Sequence, residues 1–299
     1  MNFNSFNSLV DLLDFFTDEQ ACIEYLEWKR WKGGVISPFN SYSTVYKCKN
    51  NRYKCKNTGK YFTVRTDSLF ENSKVSLRKW FMAIYLVTSR KKGISSIQLS
   101  KDISVTQKTA WNMLKRIREC YGIDNDKRCL ESTIECDETF VGGKNKNRHK
   151  DKKVNNSQGR SFKDKTPVFG MLQRNGKLIA MVVPNTKEGS LKPIIDYYVK
   201  RGSTLYTDEW WAYKNMGKEY DHHFVNHGIG LYGMGDIHTN SIEGSWASLK
   251  RMIIGVYHNV SKKHLQLYVN EFTFRYNNRN ISDSKRFDLF LQHVFKQTS

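Results

Sequence analysis

The chain has 299 residues, and 49 lysines and arginines against 29 aspartates and glutamates give it a formal net charge of +20. Its hydrophobic fraction of 39% excludes wholesale disorder, and its length suggests about two domains. No apolar run approaches the ~18 residues of a membrane-spanning helix, and early acidic residues argue against a secretory signal. A body this basic is expected to bind a polyanion, most often nucleic acid, although a merely soluble basic protein has the same composition.

The first 72 residues are predicted to form an N-terminal helix and a small turn-rich β module. Apolar side chains recur at helical spacing near the start of the chain: Leu9, Leu12, Leu13 and Phe16. Residues 33–70 differ, because they hold Gly33-Gly34 and the β-rich runs Ser43–Cys48 and Tyr61–Val64. We therefore expect a first domain over residues 1–72.

Residues 73–125 are predicted to be helical and to bind DNA. Leu77–Thr88, Ser95–Ile103 and Thr106–Cys120 are helical stretches, and a very short turn joins the last two. Their length and turn are typical of a helix-turn-helix, whose second helix lies in the major groove. That helix carries side chains that reach base edges and phosphates: Gln107, Lys108, Asn112, Lys115 and Arg116. An ordinary helical hairpin with a solvated charged face is the alternative.

From residue 132 the pattern changes to strands that alternate with helices. The β-rich runs are Ser132–Val141, Pro167–Arg174, Lys177–Val183, Ser203–Thr207 and His223–Asn226. Asn175-Gly176 predicts a hairpin between the second and third of them. Helices are predicted at Leu191–Lys200, Ser241–Ile254 and Lys263–Arg275. Residues 131–299 are therefore interpreted as an α/β domain.

A basic run, Lys144–Lys153, follows Gly142-Gly143. It carries six lysines and arginines against one aspartate. We interpret it as a loop that contacts DNA phosphates, with four candidate side chains: Lys144, Lys146, Arg148 and Lys150. A solvated flexible loop is the alternative.

Three acidic residues occupy positions where chemistry is expected. Asp137 interrupts a strand-like run, and an acid inside a sheet core is costly unless it is paired or bound to a metal. Asp208 ends a second apolar strand, and Glu243 lies in the first turn of a predicted helix. A single acidic residue in such a position is more often a helix cap or a surface charge than a catalytic residue. Together they match the carboxylate set that holds two Mg²⁺ or Mn²⁺ ions for phosphodiester chemistry.

Lys250 follows Glu243 by seven residues. This is nearly two helical turns, so the two side chains share a face. A cation there could hold a DNA phosphate beside the metals, whereas a solvated helix lysine is the alternative.

Four segments form an ordered signature that reads TIECDETFVGGKNKNRHKDKK, LYTDEWWAY, HTNSIEGSWASLKR and YHNVSKKHLQLYVNEFTFRYNNR. They resemble the bacterial insertion-sequence DDE transposases that are related to the eukaryotic Merlin transposases. Residues 77–119 resemble the DNA-binding region of that family. The resemblance covers about residues 8 to 280, and several motifs in a fixed order are far more specific than any one of them.

The resemblance implies a ribonuclease H-like catalytic domain, an α/β fold with a mixed sheet and flanking helices, that carries a DDE triad. By position, the triad is Asp137, Asp208 and Glu243, which would bind two Mg²⁺ or Mn²⁺ ions, with Lys250 as the accompanying lysine. Asn240 is a second candidate for the third catalytic residue of the triad, because some relatives use Asn at that position. The implied partners are double-stranded DNA, as terminal inverted repeats and target, and further copies of the chain in a dimer or larger complex. No membrane partner is expected.

The resemblance fails in the small module, where the family has a zinc ribbon built from two CxxC pairs. Here the first place reads SPFN at residues 37–40, and the second reads CKNT at residues 55–58. A structural zinc site needs about four nitrogen or sulfur ligands, so the module is predicted to be a degenerate ribbon without zinc. The six cysteines of the chain are irregularly spaced and predict reduced thiols, not disulfides.

The sequence therefore predicts a DNA transposase that cleaves at the end of its element and joins the freed 3′-OH to target DNA. One alternative is a transposase-derived DNA-binding protein without catalysis, which could lose any of the three carboxylates. Another is a nuclease on the same fold that cuts but does not join. The expected location is the cytoplasm, with the nucleoid, in a bacterium and the nucleus in a eukaryote.

Overall fold

The computed structural model describes residues 6–122, 127–142, 149–155, 161–162, 164–209, 211–225 and 237–295. The chain divides into two units, Met1–Tyr121 with Asn280–Ser299, and Gly122–Arg279. Within the described ranges, no helix is both long enough and apolar enough to cross a membrane.

The first unit is largely helical. Its helices are α1 (Leu9–Phe15), α2 (Glu19–Arg30), α3 (Leu77–Ser89), α4 (Ser96–Asp102), α5 (Gln107–Cys120) and α9 (Asp283–Phe290). The predicted N-terminal helix is two helices, because the Asp18 side chain accepts a hydrogen bond from the Ala21 N–H and starts α2. The predicted helices of region 73–125 are present, and Ser95 and Thr106 cap α4 and α5.

An aromatic core holds the helices of the first unit together. The rings of Phe16 and Phe81 have centroids 4.7 Å apart, and Phe287 of α9 lies 5.4 Å from Phe81. All three side chains are fully buried. Residues 280–295 thus pack in the first unit, although the sequence predicts them in the 131–299 domain, because α9 buries its apolar side there. The boundary between 1–72 and 73–125 stays a prediction.

The small module is a three-stranded antiparallel sheet of β1 (Val45–Lys47), β2 (Tyr53–Cys55) and β3 (Tyr61–Phe62). Its inner face is aromatic: the rings of Tyr53 and Phe62 stack with centroids 5.6 Å apart, and Trp31 lies 5.2 Å from Tyr53. The sequence predicts the two edge strands and misses β2, because three residues among lysines and asparagines carry no periodic signal.

The positions of the missing cysteine pairs are held together by hydroxyl groups. Ser37 and Asn40 form a β-bridge, and Ser37 and Cys55 are buried. Burial raises the pKa of the Cys55 thiol, but hydrogen bonds with Ser37, Ser43 and Thr58 outweigh it and lower the pKa to about 6. The absence of zinc binding stays a prediction.

The second unit is a five-stranded mixed sheet with flanking helices. Its strands are β4 (Thr133–Val141), β5 (Thr166–Gln173), β6 (Leu178–Val182), β7 (Thr204–Asp208) and β8 (Asp221–Val225), in the spatial order β6-β5-β4-β7-β8. β4, β5 and β6 pair antiparallel, whereas β4, β7 and β8 run parallel. The helices are α6 (Glu188–Tyr198), α7 (Asn240–Met252) and α8 (Leu265–Asn277). The predicted strands and helices of this region are present, apart from Asn226 of the last predicted strand, which lies outside the described residues. The architecture fits the expected ribonuclease H-like fold.

The sheet separates two apolar cores, because side chains alternate between its faces along each strand. On one face Cys136 and Leu205 pack with α6. On the other face Val168 packs with α7 and α8. Asp137 follows Cys136 in β4 and therefore lies on the α7 face.

Helix α7 lies close to the sheet at Gly170, the residue of β5 that pairs with Asp137. A Cβ added at Gly170 would lie 2.4 Å from the ring of Trp246 and 3.3 Å from the Cδ1 atom of Ile242. A glycine in a strand interior often marks such a close approach. The missing side chain therefore lets the indole of Trp246 lie against the strand.

Replacing Gly170 by alanine is expected to destabilise the second unit by about 1–3 kcal/mol, because a buried ring has to move to admit the methyl group. Gly244→Ala in α7 is the matched control, since a Cβ there meets nothing within 4 Å and alanine favours a helix by up to about 1 kcal/mol over glycine. Denaturant unfolding of both variants measures the two free energies. A Gly170→Ala protein as stable as the wild type would contradict this packing.

Candidate active site

Asp137 and Asp208 lie at the same level of neighbouring parallel strands. β4 and β7 pair in register at Glu135 and Tyr206, and each aspartate follows two residues later in its strand. A step of two residues returns the side chain to the same face, so both carboxylates lie on the α7 face. Because neighbouring strands are about 5 Å apart, the fold brings together the two aspartates that the sequence predicts.

The two aspartates stand at the carboxyl edge of this strand pair. The pairing of β4 with β7 ends at Glu135 and Tyr206, whereas β4 continues along β5 to Val141. Asp208 is 8% exposed, and Asp137 is half-buried. Ligands in open α/β sheets bind outside the carboxyl ends of the strands, so this edge is suited to a substrate.

Trp246 connects Asp137 to helix α7. Its indole Nε1–H donates a hydrogen bond to Asp137 Oδ2 at 3.0 Å, and its ring is held against Gly170. The hydrogen bond orients the carboxylate, because a rigid buried ring supplies the donor. The sequence gives no sign of this role, since a tryptophan at helical spacing reads as an ordinary core residue.

The remaining candidates lie on α7. Asn240, Glu243 and Lys250 are all exposed, and Thr239 Oγ1 donates to Glu243 Oε1 at 2.8 Å. Residues three and seven apart share one side of a helix, so Glu243 lies on the same side as Trp246 and Lys250. Trp246 is therefore the side chain that links this side of α7 to Asp137.

Glu135 of β4 fixes the start of α7. Its carboxylate is fully buried, and Oε2 accepts hydrogen bonds from the backbone N–H groups of Ser241 and Ile242, each at 2.9 Å. The first N–H groups of a helix have no partner inside the helix, and the positive end of its dipole favours an anion. A strand residue thus supplies the cap of α7.

The partly exposed Arg174 forms an ion pair with the buried Glu135 carboxylate and reaches the residues before α7. Its Nε donates to Glu135 Oε1 at 2.8 Å, and its Nη2 donates to the His238 carbonyl oxygen at 3.0 Å. Its guanidinium carbon lies 4.7 Å from the centre of the Tyr206 ring. The sequence does not reveal this network, because Arg174 and Ser241 lie 39 and 106 residues from Glu135.

Glu138 lies on the opposite face of β4 from Asp137. Tyr213 donates a hydrogen bond to its carboxylate, and both side chains are buried. Burial raises the pKa of the Tyr213 phenol well above its usual value, and the Glu138 charge adds to this shift. The phenol therefore stays protonated as a donor and holds Glu138 away from the Asp137 face.

The donor chemistry at the strand edge fits a hard divalent cation. Asp137 and Asp208 offer carboxylate oxygens on one face, and oxygen ligands are those that Mg²⁺ and Mn²⁺ prefer. In the described parts of the chain, no three His, Cys, Asp or Glu side chains are grouped closely enough to hold a metal. The fold thus brings the aspartate pair together and places Glu243 on the adjoining helix, and the complete triad stays a prediction.

The predicted DNA-binding helices, α4 and α5, pack on each other across a short turn. Ser104 in this turn has a φ of 52°, a backbone conformation that lets the chain reverse within a few residues. Gln107 Nε2 donates to Ser96 Oγ at 2.8 Å and joins the two helices. Gln107, predicted to contact DNA, therefore also holds the helix pair together.

One side of α5 is open to solvent. Lys108 and Asn112 are exposed, and Lys115 is partly exposed. Trp111 lies among them and is 46% exposed, although the sequence pattern does not single it out. Together these side chains form a basic surface with one exposed aromatic ring.

Arg116 is directed into the first unit. Its Nη2 donates to the Glu71 carbonyl oxygen at 2.9 Å, and its guanidinium carbon lies 5.7 Å from the centre of the Trp80 ring. The guanidinium therefore contributes to packing as well as to the charge of α5.

The predicted basic loop is described only in part. Lys144, Lys146 and Arg148 lie outside the described residues. Lys150 begins a short 3₁₀ turn, Lys150–Lys152, and is exposed.

Proteins of similar sequence are described as transposase-like or as part of a transposable element. Residues 129–277 match the ISXO2-like transposase domain. A Halobacterium salinarum protein described as an uncharacterized protein in transposable element ISH50 is 30% identical over 273 residues, which are 87% of this chain and 91% of that protein. An uncharacterized transposase-like protein of Haemophilus influenzae is 32% identical over 106 residues, 35% of this chain and 85% of that protein.

The solved structures offer a weaker likeness. The crystal structure of the Mos1 strand transfer complex has a TM-score of 0.21 and 11% identity, over 72% of this chain and 78% of that chain. Such a TM-score does not establish a shared fold. The domain match and the relative that spans most of both chains confirm the resemblance predicted from the motifs, and this chain belongs to the family of insertion-sequence transposases with an ISXO2-like domain.

Proposed function

We propose that this chain is a DNA transposase whose active site is the strand edge of Asp137 and Asp208. The observation that carries the proposal is the position of these two aspartates, on one face and at one level of neighbouring parallel strands, in a member of a transposase family. The substrates are double-stranded DNA, first the terminal inverted repeats of the element and then the target.

Cleavage and joining are both in-line displacements at phosphorus, so one site can serve both. Asp137 and Asp208 concentrate negative charge at the strand edge, and Glu243 adds a third carboxylate from α7. These three would hold two Mg²⁺ or Mn²⁺ ions, which when bound activate the attacking oxygen and stabilise the leaving one.

Neighbouring side chains keep these groups in place. Trp246 orients Asp137, and Glu135 holds the first turn of α7, from which Glu243 projects. Lys250 lies on the same side of α7 as Glu243 and is suited to hold a phosphate of the bound DNA. Asn240 remains the second candidate for the third ligand.

DNA recognition is assigned to α5. Asn112 and Lys108 lie toward its N-terminal end, where a groove-bound helix reaches base edges, and Lys115 is placed to meet a phosphate. The net charge of +20 supports binding to DNA of any sequence. Transposition requires two element ends to be held together, so the active form is a dimer or a larger complex.

Asp137→Asn and Asp208→Asn are each expected to abolish cleavage of element-end DNA in Mg²⁺ and to leave end binding intact. Each change removes a charged ligand and keeps the shape of the side chain. Gel assays of cleavage, strand transfer and mobility shift measure the three steps. Glu209→Gln, the same chemical change beside Asp208, is the control and should cleave normally. If either Asn variant cleaved as fast as the wild type, the assignment would be refuted. If the wild-type protein cut DNA without joining it, the protein would be a nuclease.

The third ligand is tested by the same assays on two α7 variants. Glu243→Gln is expected to be severely impaired and Asn240→Ala less so, because a carboxylate binds Mg²⁺ more strongly than an amide. The opposite ranking would assign the role to Asn240.

Glu135→Gln is expected to lower the free energy of unfolding by about 1–3 kcal/mol, because one neutral amide oxygen cannot replace both carboxylate oxygens and leaves a donor of Arg174 or of α7 without its partner. In conditions where the variant stays folded, cleavage should fall while DNA binding is retained, since the first turn of α7 loses the negative charge of its cap. Glu131→Gln is the matched control: its ion pair with Lys200 is exposed and is worth about 0–1 kcal/mol. Equal effects of the two changes would contradict the special position of Glu135.

The α5 surface is tested with binding isotherms on repeat and scrambled duplexes at several salt concentrations. Lys108→Ala and Asn112→Ala should reduce the preference for the repeat, at about 1–3 kcal/mol for each good base contact. Lys115→Ala should weaken both duplexes equally and lower the salt slope by about one unit. Lys101→Ala on α4 controls for the loss of one charge. If none of the three α5 changes affects either duplex, α5 is a packing helix.

A further inference from the structure

The outer face of the β1–β3 sheet carries a row of exposed tyrosines and cations. Tyr46 pairs with Lys54 in the β1–β2 ladder, and Lys54 pairs with Tyr61 in the β2–β3 ladder. Paired residues of antiparallel strands share a face, so these three form one row across the sheet. Their face is opposite to that of Tyr53, whose ring is buried in the module.

The two tyrosine rings remain half exposed. Tyr46 is 48% exposed and Tyr61 is 49% exposed, although a three-stranded sheet offers neighbours on which they could pack. They are separated by two strand spacings, about 10 Å. The row therefore presents two aromatic side chains to solvent on one face of the sheet.

Cations lie directly on this row. The guanidinium carbon of Arg52 lies 4.4 Å from the centre of the Tyr61 ring, and Lys54 Nζ lies 5.5 Å from it. Such cation–π contacts hold the side chains in place on the sheet. The exposed charges thus sit beside the aromatic rings and not on a separate surface.

The positive charge of the module indicates the chemical class of its partner. Residues 33–66 contain seven lysines and arginines and no aspartate or glutamate. This surface complements a polyanion. A duplex would use the cations alone, because its bases are stacked, whereas unpaired bases offer flat faces that stack on aromatic rings.

We propose that the outer face of the β1–β3 sheet is a binding platform for single-stranded DNA, with Tyr46 and Tyr61 stacking on unpaired bases and Arg52 and Lys54 contacting the phosphates. This inference rests on the proposed function in one respect, since a protein that opens and joins DNA ends meets unpaired strands. It goes beyond that function because it assigns a second DNA surface, outside both α5 and the strand edge.

The test is fluorescence anisotropy of the full chain with a labelled deoxythymidylate of about 16 nucleotides, without divalent cation, and with a scrambled duplex for comparison. Tyr61→Ala is expected to weaken binding to the single strand roughly tenfold, and Tyr46→Ala/Tyr61→Ala further, in line with the loss of one stacked base per ring. Duplex binding should change little. Lys54→Ala should lower the salt slope on the single strand by about 0.7 units.

Two controls separate stacking from folding. Tyr61→Phe keeps the ring and should bind the single strand like the wild type. Tyr42→Ala removes a tyrosine that is 97% exposed on the same module but outside the row, and it should also bind normally. Unfolding curves show whether Tyr61→Ala is folded, and if it is not, Tyr61→Leu replaces it with the same expected loss.

The platform would be refuted by unchanged single-strand binding in the double variant, or by an equal loss on duplex and single strand. An equal loss in Tyr42→Ala would refute it as well. These outcomes are independent of the strand edge, because the assay involves no cleavage. A chain that binds the single strand through this row but cannot cleave would contradict only the proposed catalytic function.

Discussion

The geometry around the strand edge depends on one buried carboxylate. Glu135 lies inside the sheet, where an uncompensated charge would be very costly, and it is compensated by two N–H groups of α7 and by Arg174. The same contacts join β4 to the first turn of α7. Because the Glu135 charge would be buried without compensation if these contacts were lost, Asp137 and the helix that carries Glu243 are held as one structure. Gly170 and Trp246 extend this contact by a further turn of α7.

The small module is packed around aromatic rings and hydroxyl groups. Strands of two or three residues bury little apolar surface, and small domains commonly need a metal or disulfides for that reason. Here the rings of Tyr53 and Phe62 stack, Trp31 packs edge-on against Tyr53 on the inner face, and hydroxyl groups surround Cys55. The arrangement keeps the antiparallel hairpins in register, and it is this register that aligns the tyrosines of the outer face.

Local sequence signals predict helices, strands and turns well where those signals are strong. The Asn175-Gly176 turn identifies the β5–β6 hairpin, and Ser95 and Thr106 mark the starts of α4 and α5. Such signals fail for β2, which is too short to show a period. They also fail to assign α9 to the first unit, because its place is decided by ring contacts between Phe287 and residues far away in the chain, such as Phe81.

By itself, the sequence determined the basic charge, the order of most strands and helices and the motifs that resemble the transposase family, and it predicted Asp137 and Asp208 as site residues. The charge and the elements follow from composition and periodicity, which are local properties, and the family follows from the resemblance. Only the tertiary structure decided that Glu135 caps α7, that Trp246 holds Asp137, and that Arg116 packs on Trp80. The sequence around an acidic residue, a tryptophan or an arginine is the same whether its side chain is solvated, caps a helix or forms an ion pair. Its role is set by partners distant in sequence, and only the folded backbone brings those partners within hydrogen-bonding reach.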